Sequence, residues 1–356
     1  MKNNNYPTPP IQTAILSFGM SGKVFHAPFI HHHKGFNLAG IVERTKNEAS
    51  SIYPTAKIYK SIEAVLADDT IDLIVVNTPT NTHFEFSKMA LEKGKHVVVE
   101  KAFTTTVEEA SILTNLAKEK GLVLSVYQNR RWDSDFSTVK KIVEDGNVGA
   151  VISAEFHFDR YKETLSPKAH KETPNAGAGL LLDLGPHLID QAIYLFGMPK
   201  AIMADIRTVR PHSLVDDEFS LVFYYDHLRV ILKSSLMVRE PLPAYIIHGN
   251  KGSFIKKRAD IQEAALLNNA IPYTPNWGQE PDSEMGYLHT QLNNTLIKEY
   301  IPTLPGNYGA FYDGLYETII NQQPCLVTGN DGWNVMKIIE AAQLSNQEQK
   351  IIPIIA

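Results

Sequence analysis

Short apolar runs alternate with amphipathic segments in the first third of the chain, and this alternation limits the possible folds more than any other feature. The runs are of strand length and rich in Val, Ile and Leu: Ile11–Phe18, Asn37–Glu43, Ile71–Asn77, Lys95–Glu100 and Leu122–Tyr127. Between them, Thr82–Gly94 and Val107–Gly121 have helical periodicity, and each closes on a glycine. Continuous apolar strands alternating with helices predict a doubly wound α/β domain, with a parallel sheet covered on both faces.

After about residue 130 the pattern changes to consecutive strands, which predicts an α+β domain with a mostly antiparallel sheet. The expected strands are Val151–Arg160, Ala201–Val209, Asp217–Tyr225, Leu228–Met237, Tyr245–Gly249 and Ser253–Lys257. The expected helices are Leu180–Phe196, Ala310–Asn321 and Gly332–Leu344. A chain of 356 residues exceeds the ~250–300 at which one core stops growing. We therefore predict two domains, residues 1–130 and 131–356.

Composition excludes several classes of protein. With 34 basic and 39 acidic residues the formal charge is −5, so neither nucleic acid nor an anionic membrane is an expected partner. A single cysteine, Cys325, excludes an internal disulfide and fits a reducing compartment. Met1–Pro10 lacks the apolar core of a signal peptide, and no apolar run approaches the ~18 residues of a membrane span. We therefore expect a cytoplasmic protein. We also expect it to lack a metal site, because His31, His32 and His33 cannot converge on one ion if they are helical.

A glycine-rich turn follows the first apolar run. Ser17–Gly22 matches the pattern G-x-G-x-x-G except that Ser17 replaces the first glycine. Gly19 would let the backbone approach a pyrophosphate, and Gly22 would allow close packing of helix against strand. The plainer alternative is that both are ordinary turn glycines. A dinucleotide-binding turn is the preferred interpretation because Glu43 ends the second strand at the spacing expected of a ribose-binding acid.

The choice between NAD and NADP depends on two adjacent side chains. The Glu43 carboxylate can accept hydrogen bonds from a ribose diol and would repel a 2′-phosphate, which favours NAD. Arg44 could pair with that phosphate, which favours NADP. We expect either dinucleotide to bind, with NAD preferred.

Three side chains are candidates for the chemistry. Glu100-Lys101 follows the fifth strand, at the carboxyl edge where a doubly wound sheet forms its crevice, so Lys101 could donate to a substrate oxygen. Asp183 and His187 are four residues apart and would share one face of a helix that has Pro186 in its first turn. A carboxylate beside an imidazole suits general-base catalysis. The alternatives are a solvated lysine, an N-cap aspartate and a packed histidine.

Several motifs together resemble the Gfo/Idh/MocA oxidoreductase family. They are Ser17–Gly22 continuing to Pro28, Asn77-Thr78-Pro79 with Thr82-His83, and Glu100-Lys101. Others resemble its scyllo-inositol dehydrogenase-like branch: Asn129–Phe136, His157–Arg160, Asp183–His187 and Pro305–Tyr308. The resemblance implies a Rossmann domain, then an open, mostly antiparallel sheet whose exposed face forms homodimers or homotetramers. It implies hydride transfer between NAD(P) and a sugar, inositol or related polyol.

The resemblance also assigns site residues. The catalytic set falls on Lys101, Asp183 and His187, which are also expected substrate contacts. Tyr161 is a further expected substrate contact because its ring, like that of Trp132, could stack on a pyranose or cyclitol; the alternative for both is an aromatic core residue. The expected cofactor contacts are Ser17, Gly19, Met20, Ser21, Gly22, Glu43, Arg44, Asn77, Thr78, Pro79, His83, Glu100, Lys101, Asn129 and Trp132. Ala102 stands where the family usually has proline, so we expect the preceding peptide bond to lose a geometry that is often cis.

Some alternatives stay open at this point. An NAD-dependent glycoside hydrolase and a non-catalytic nucleotide sensor use the same scaffold, although a sensor has no need of the Lys, Asp and His. Arg130 and Arg131 could contact a ligand or form structural ion pairs. The hairpin Asp217–Met237 has apolar residues on both faces, so its outer face should be covered by a second subunit or by the loop Asp260–Pro281.

Overall fold

The computed structural model describes residues 9–167 and 172–355. Most of Met1–Pro10, the segment that was examined for a signal peptide, lies outside these ranges. The chain divides into two compact units. The first contains the residues up to Tyr127 together with Gln262–Trp277 and Tyr308–Trp333, and the second contains the rest. The domain boundary predicted at residue 130 remains a prediction. The two units are not continuous stretches of sequence, because two later segments belong to the first unit. Within the described ranges, every helix is too short or too polar to cross a bilayer.

Strands and helices are numbered here along the described chain. The strands are β1 Ile11–Ile15, β2 Phe36–Val42, β3 Lys57–Tyr59, β4 Leu73–Val76, β5 His96–Val99, β6 Leu124–Val126, β7 Val151–His157, β8 Ala201–Arg207, β9 Glu218–Tyr224, β10 Arg229–Ser235, β11 Tyr245–Gly249, β12 Gly252–Lys256, β13 Gly286–Leu292, β14 Thr295–Ile301 and β15 Ile352–Pro353. The helices are α1 Ala27–His32, α2 Ala49–Ile52, α3 Ile62–Leu66, α4 His83–Glu92, α5 Val107–Lys120, α6 Ser134–Glu144, α7 Leu180–Asp183, α8 Gly185–Phe196, α9 Gln262–Leu267, α10 Gly309–Asn321 and α11 Gly329–Glu348. A π-helical turn, Gly22–His26, precedes α1.

The first unit contains a six-stranded sheet in the order β3-β2-β1-β4-β5-β6. Every pairing in it is parallel, which confirms the predicted doubly wound Rossmann fold. The central strand β4 is fully buried, as expected of a strand covered on both faces. Helix α5 begins with a hydrogen bond from the Glu109 N–H to the Thr106 hydroxyl and ends at Gly121, whose φ is 64°.

Aromatic side chains attach the two later segments to the first unit. Phe29 of α1 is fully buried, and its ring stacks on Tyr312 of α10 at 6.1 Å between centroids. Tyr273 and Trp277, from the Gln262–Trp277 segment, lie edge-on to Phe29. Residues 262–277, most of the loop proposed as the alternative cover of the hairpin Asp217–Met237, therefore belong to the first unit. His33, the last of the three consecutive histidines, lies just after α1 and is buried beside Tyr273.

The second unit contains a nine-stranded sheet in the order β14-β13-β12-β11-β7-β10-β9-β8-β15. Only the pairing of β7 with β10 is parallel, so the prediction of a mostly antiparallel sheet is confirmed. Its core face is built from alternate buried residues, among them Ala154, Phe156, Leu221, Phe223, Leu232, Tyr245 and Phe254. The helix expected at 180–196 is two helices, α7 and α8, separated at Leu184.

The other face of this sheet carries a row of mainly apolar residues, named here the open-face row. Cross-strand pairing places them side by side on eight neighbouring strands: Met203, Val222, Ile231, Glu155, Ile246, Ile255, Tyr287 and Tyr300. The first seven are half-buried, and Tyr300 is 68% exposed. This chain thus leaves the row partly open to solvent, and the row includes Val222 and Ile231 of the hairpin Asp217–Met237, whose outer face was predicted to be apolar.

Candidate active site

A cavity of about 370 Å³ opens beside the carboxyl ends of β1, β2 and β4. In a doubly wound sheet these ends form the crevice in which ligands bind. Most of the lining comes from the turn after β1, the end of β2 with the loop after it, and the loop after β4, and α3 and α4 add one residue each. The lining residues are Leu16, Ser17, Phe18, Gly19, Val42, Glu43, Arg44, Thr45, Lys46, Ile62, Thr78, Pro79, Thr82 and Phe86. The structure thus brings six of the expected cofactor contacts (Ser17, Gly19, Glu43, Arg44, Thr78 and Pro79) to one cavity within the first unit.

Asn77 fixes the glycine-rich turn through both atoms of its amide. The Ser17 N–H donates to Asn77 Oδ1 at 2.9 Å, and Asn77 Nδ2 donates to the Ser17 carbonyl oxygen at 2.7 Å. A Cβ atom at Gly22 would overlap that carbonyl oxygen and lie 2.8 Å from Asn77 Nδ2. Gly22 is therefore required by close packing. Gly19 is less confined, because its nearest neighbour would be the Ser17 hydroxyl at 3.4 Å.

Glu43 is engaged with the backbone of its own loop. Its Oε1 accepts the Glu48 N–H at 3.0 Å, and its Oε2 accepts the Ala49 N–H at 3.1 Å. The residue is only 6% exposed. Glu43 thus satisfies backbone donors at the start of α2, which sequence spacing alone does not reveal. Arg44, by contrast, is exposed on the cavity wall.

Glu100, directly after β5, receives three hydrogen bonds. The Ser21 hydroxyl donates to its Oε1 at 2.7 Å, His26 Nε2 donates to the same oxygen at 3.0 Å, and the Lys101 N–H donates to its Oε2 at 3.2 Å. Burial by itself raises the pKa of Glu100, but the bond and charge of His26, the charge of Lys101 and the Ser21 hydroxyl together lower it to about 2. Lys101 therefore follows a carboxylate that is ionised at neutral pH.

His83 connects the loops after β4 and β5. Its Nδ1 lies 2.8 Å from the Ala102 carbonyl oxygen and its Nε2 lies 2.9 Å from the Thr78 carbonyl oxygen. Burial lowers the pKa of His83, so the ring is neutral at pH 7 and donates to one of the two carbonyls. The Lys101–Ala102 peptide bond is cis, so the expectation that alanine would remove this geometry was wrong.

The candidate acid–base pair lies in the second unit. Asp183 is the last residue of α7, and His187 lies in the first turn of α8 with Pro186 beside it. The sequence pattern predicted Asp183 and His187 on one helix. In the structure Leu184 separates two helices, so the two residues are not on one continuous helix. The His187 N–H donates to the Leu184 carbonyl oxygen at 3.2 Å, and His187 is 5% exposed while Asp183 is half-buried.

Other predicted positions of the second unit also have defined surroundings. Asn129 and Trp132 are the first and last residues of a 3-10 turn. The Trp132 carbonyl oxygen accepts a hydrogen bond from the Asn307 N–H at 3.0 Å. Arg131 forms a buried bidentate pair with Asp190, with N···O distances of 2.8 and 2.7 Å. That pair supports the structural alternative for Arg131.

Tyr161, an expected substrate contact, is 37% exposed. Its hydroxyl accepts a hydrogen bond from Arg239 Nη2 at 2.7 Å and donates to Glu163 at 3.0 Å. Both hydrogen-bonding roles of this hydroxyl are thus used within the second unit.

Sequence reasoning missed the part played by His26 and Tyr312. Both are fully buried, and His26 Nδ1 lies 2.6 Å from the Tyr312 hydroxyl. The only signal in the sequence is the histidine in Phe25-His26-Ala27-Pro28, since 286 residues separate it from Tyr312.

Comparisons with known proteins identify the family and agree with the fold. The model of the oxidoreductase family NAD-binding Rossmann fold, GFO_IDH_MocA, matches residues 11–128, and that of the family's C-terminal α/β domain matches residues 140–354. The scyllo-inositol 2-dehydrogenase (NADP(+)) IolW of Bacillus subtilis is 36% identical over 96% of this chain and 95% of its own. The D-glucoside 3-dehydrogenase of Escherichia coli is 26% identical over 57% and 58%. A crystal structure from Bacteroides fragilis is 46% identical and has a TM-score of 0.89, covering 97% of this chain and all of that one.

The two glycines of the turn should respond differently to alanine. Gly22→Ala should destabilise the protein by about 1–3 kcal/mol, because the added methyl group meets backbone that Asn77 holds in place. Gly19→Ala should change the free energy of unfolding by less than ~0.5 kcal/mol. Urea denaturation of both variants measures the difference. Equal losses would contradict the assignment of Gly22 to close packing.

Proposed function

This chain belongs to the Gfo/Idh/MocA family of oxidoreductases, and we propose that it transfers hydride between a nicotinamide dinucleotide and a secondary alcohol or ketone of an inositol, a sugar or a related polyol. Family membership together with the inositol and glucoside dehydrogenases among its relatives supports a dehydrogenase that acts on CH–OH groups. The names of two relatives, an inositol 2-dehydrogenase and a glucoside 3-dehydrogenase, support the polyol class. One observation carries the proposal: Lys101 follows an ionised carboxylate at the same sheet edge as the glycine-rich turn.

The residues of the first unit fit a dinucleotide. Ser17, Gly19, Met20, Ser21 and Gly22 form a turn whose backbone is fixed by Asn77, and the adjoining cavity extends to the loop after β2. A turn of this kind ahead of a helix attracts phosphate. When bound, the nicotinamide accepts or supplies the hydride. Thr78, Pro79 and His83 shape the loop after β4, and Asn129 and Trp132 are proposed as further contacts.

We assign three side chains to the reacting oxygen. Lys101 donates a hydrogen bond to it and stabilises the negative charge that develops as its proton is lost. His187 takes that proton as the general base, and Asp183 stabilises the resulting imidazolium. Tyr161, as an exposed phenol, is proposed as a further substrate contact.

Loss of the proposed general base should reduce turnover and leave dinucleotide binding intact. His187→Ala should lower kcat by ~10²–10⁴-fold, and Lys101→Ala should also lower kcat. The double variant should lose less than the product of the two, because residues that act together are not additive. The dinucleotide Kd of His187→Ala should stay near native, since the cavity lies wholly in the first unit.

The measurement is reduction of dinucleotide with a panel of inositols and pyranoses, and the exposed His227→Ala serves as the control. Near-native turnover and an unchanged pH profile in His187→Ala would remove His187 from the mechanism. Sugar cleavage without net reduction would point to an NAD-dependent glycoside hydrolase. Binding of dinucleotide without turnover on any polyol would point to a nucleotide sensor.

The coenzyme preference is proposed to be NADP(H). The expected preference for NAD depended on Glu43, but both Glu43 oxygens accept backbone N–H groups and the side chain is buried. Arg44 is exposed on the cavity wall. Lys46, which also lines the cavity, forms an ion pair with Glu48, with 3.1 Å between Lys46 Nζ and Glu48 Oε1. A guanidinium at this place suits a 2′-phosphate. The NADP(+)-dependence in the name of the Bacillus relative supports the same choice.

Removal of Arg44 should weaken use of NADP selectively. Arg44→Ala should lower kcat/KM for NADP ~10- to 100-fold, the value of one charge-assisted hydrogen bond, with little change for NAD. Lys46→Ala is the matched control and should have a smaller effect, because Lys46 already pairs with Glu48. A native enzyme with the higher kcat/KM for NAD would contradict the proposal.

Assembly into a homo-oligomer through the open-face row is also proposed. A row of apolar side chains across eight strands is a large surface to leave in water, and a second subunit would cover it. Glu155, the one charged member, already has a partner in His157 at 3.1 Å.

A charge in the middle of the row should separate the subunits. Ile246→Asp should convert the protein to a monomer in light scattering at micromolar concentration, because a carboxylate would be buried at the interface. Leu214→Asp, at a residue 70% exposed outside the row, is the control and should leave the assembly unchanged. A monomeric native protein would contradict this proposal.

A further inference from the structure

A chain of buried polar side chains ends at Glu100. Tyr312 of α10, His26 before α1 and Glu100 after β5 lie in sequence, with 2.6 Å from the Tyr312 hydroxyl to His26 Nδ1 and 3.0 Å from His26 Nε2 to Glu100 Oε1. The Tyr312 and His26 side chains are fully buried, and the Glu100 side chain is 12% exposed. The candidate chemistry uses neither Tyr312 nor His26. Buried polar groups linked in this way have a strong effect on one another.

The direction of the hydrogen bonds follows from the chemistry of the three groups. An ionised carboxylate can only accept, so His26 Nε2 must carry a hydrogen whatever the charge of the ring. In a neutral ring, Nδ1 then accepts from the Tyr312 hydroxyl, and in a charged ring Nδ1–H donates to the Tyr312 oxygen. Burial raises the pKa of Tyr312 well above its ordinary value, so this hydroxyl keeps its proton at neutral pH. The Tyr312 contact thus holds the ring with Nε2–H directed at Glu100.

Few other groups compensate for the charge of Glu100. The Ser21 hydroxyl donates to Oε1 and the Lys101 N–H to Oε2. The charge of Lys101 also favours the ionised form. His83 of α4 is close enough to be affected by Glu100, but burial keeps the His83 ring neutral. Of these groups, His26 has the largest favourable effect on the ionised form of Glu100.

We propose that His26 is a positioning residue, which keeps Glu100 ionised and in place beside Lys101, and that Tyr312 fixes the His26 ring for this purpose. The proposal rests on the proposed role of Lys101 as the donor to the reacting oxygen. Glu100 also holds Ser21 of the glycine-rich turn, so one carboxylate connects that turn with the residue before Lys101. Without His26, burial would favour the protonated acid, and Lys101 would lose the negative charge next to it.

The test follows the titration of Glu100 directly, in the full-length protein without dinucleotide. Glutamate labelled with ¹³C at the side-chain carboxyl is observed by NMR, and Glu100→Gln identifies the signal. In the native protein Glu100 should stay ionised to about pH 2, whereas in His26→Phe its pKa should rise above its ordinary value of 4.5. His26→Gln retains a donor and should keep the pKa below 4.5. Tyr312→Phe should raise it by a smaller amount.

Tyr316→Phe, one turn further along α10, is the control and should leave Glu100 unchanged. The same variants give a second readout in kcat. His26→Phe should lose up to ~10²-fold at neutral pH and acquire a new acid limb that native enzyme and His26→Gln lack. An unchanged Glu100 titration in both His26→Phe and Tyr312→Phe would overturn the proposal. If His26→Phe does not fold, an unchanged titration of Glu100 in Tyr312→Phe is sufficient by itself to overturn the proposal.

The proposed role of His26 and the proposed dehydrogenase reaction can be rejected independently of each other. A shifted Glu100 titration in a protein that oxidises no polyol would retain the role of His26 toward Glu100 and reject the proposed reaction. A native pH profile and kcat in variants with a shifted titration would reject the role of Glu100 beside Lys101, while leaving the dehydrogenase in place.

Discussion

An ionised carboxylate at the end of a buried parallel strand is the constraint on which the first unit depends. Glu100 can remain charged there only if donors from other parts of the chain reach it, because burial alone favours the neutral acid. Those donors come from the glycine-rich turn through Ser21 and from the π-helical turn through His26, which Tyr312 of α10 holds in turn. The position of each segment is therefore tied to the others.

The second support of this unit is apolar. Phe29 is enclosed by rings from two later parts of the chain, including Trp277 and Tyr312, and Tyr127 packs on Phe311 with 4.8 Å between ring centroids. Close approach continues at Gly332, where a Cβ would lie 2.6 Å from Val126 and 2.8 Å from Phe103. These contacts make residues 262–277 and 308–333 part of the unit that holds the cavity. A Rossmann domain in this protein is thus a structural unit assembled from separate stretches of sequence.

Sequence patterns predicted those features that depend on neighbours along the chain. The apolar runs identified five of the six parallel strands, and glycine spacing located the turn after β1; the short β3, with Lys57 exposed, has no such signal. Pairing at long range was not predictable. Glu43 has the spacing of a ribose ligand, yet its carboxylate accepts N–H groups five and six residues on. The break at Leu184 and the contact of His26 with Tyr312 likewise depend on packing that no local period encodes.

The discontinuity of the first unit has a consequence for its synthesis. When residues 1–128 have left the ribosome, every strand of the parallel sheet has been synthesised, but the rings of Tyr273, Trp277 and Tyr312 that pack on Phe29 of α1 have not. Tyr273 and Trp277 follow only after more than a hundred further residues and Tyr312 follows later still, so until then Phe29 lacks these rings and His26 lacks Tyr312. The stretch that carries the glycine-rich turn is therefore translated well before the segments that complete the core of its unit.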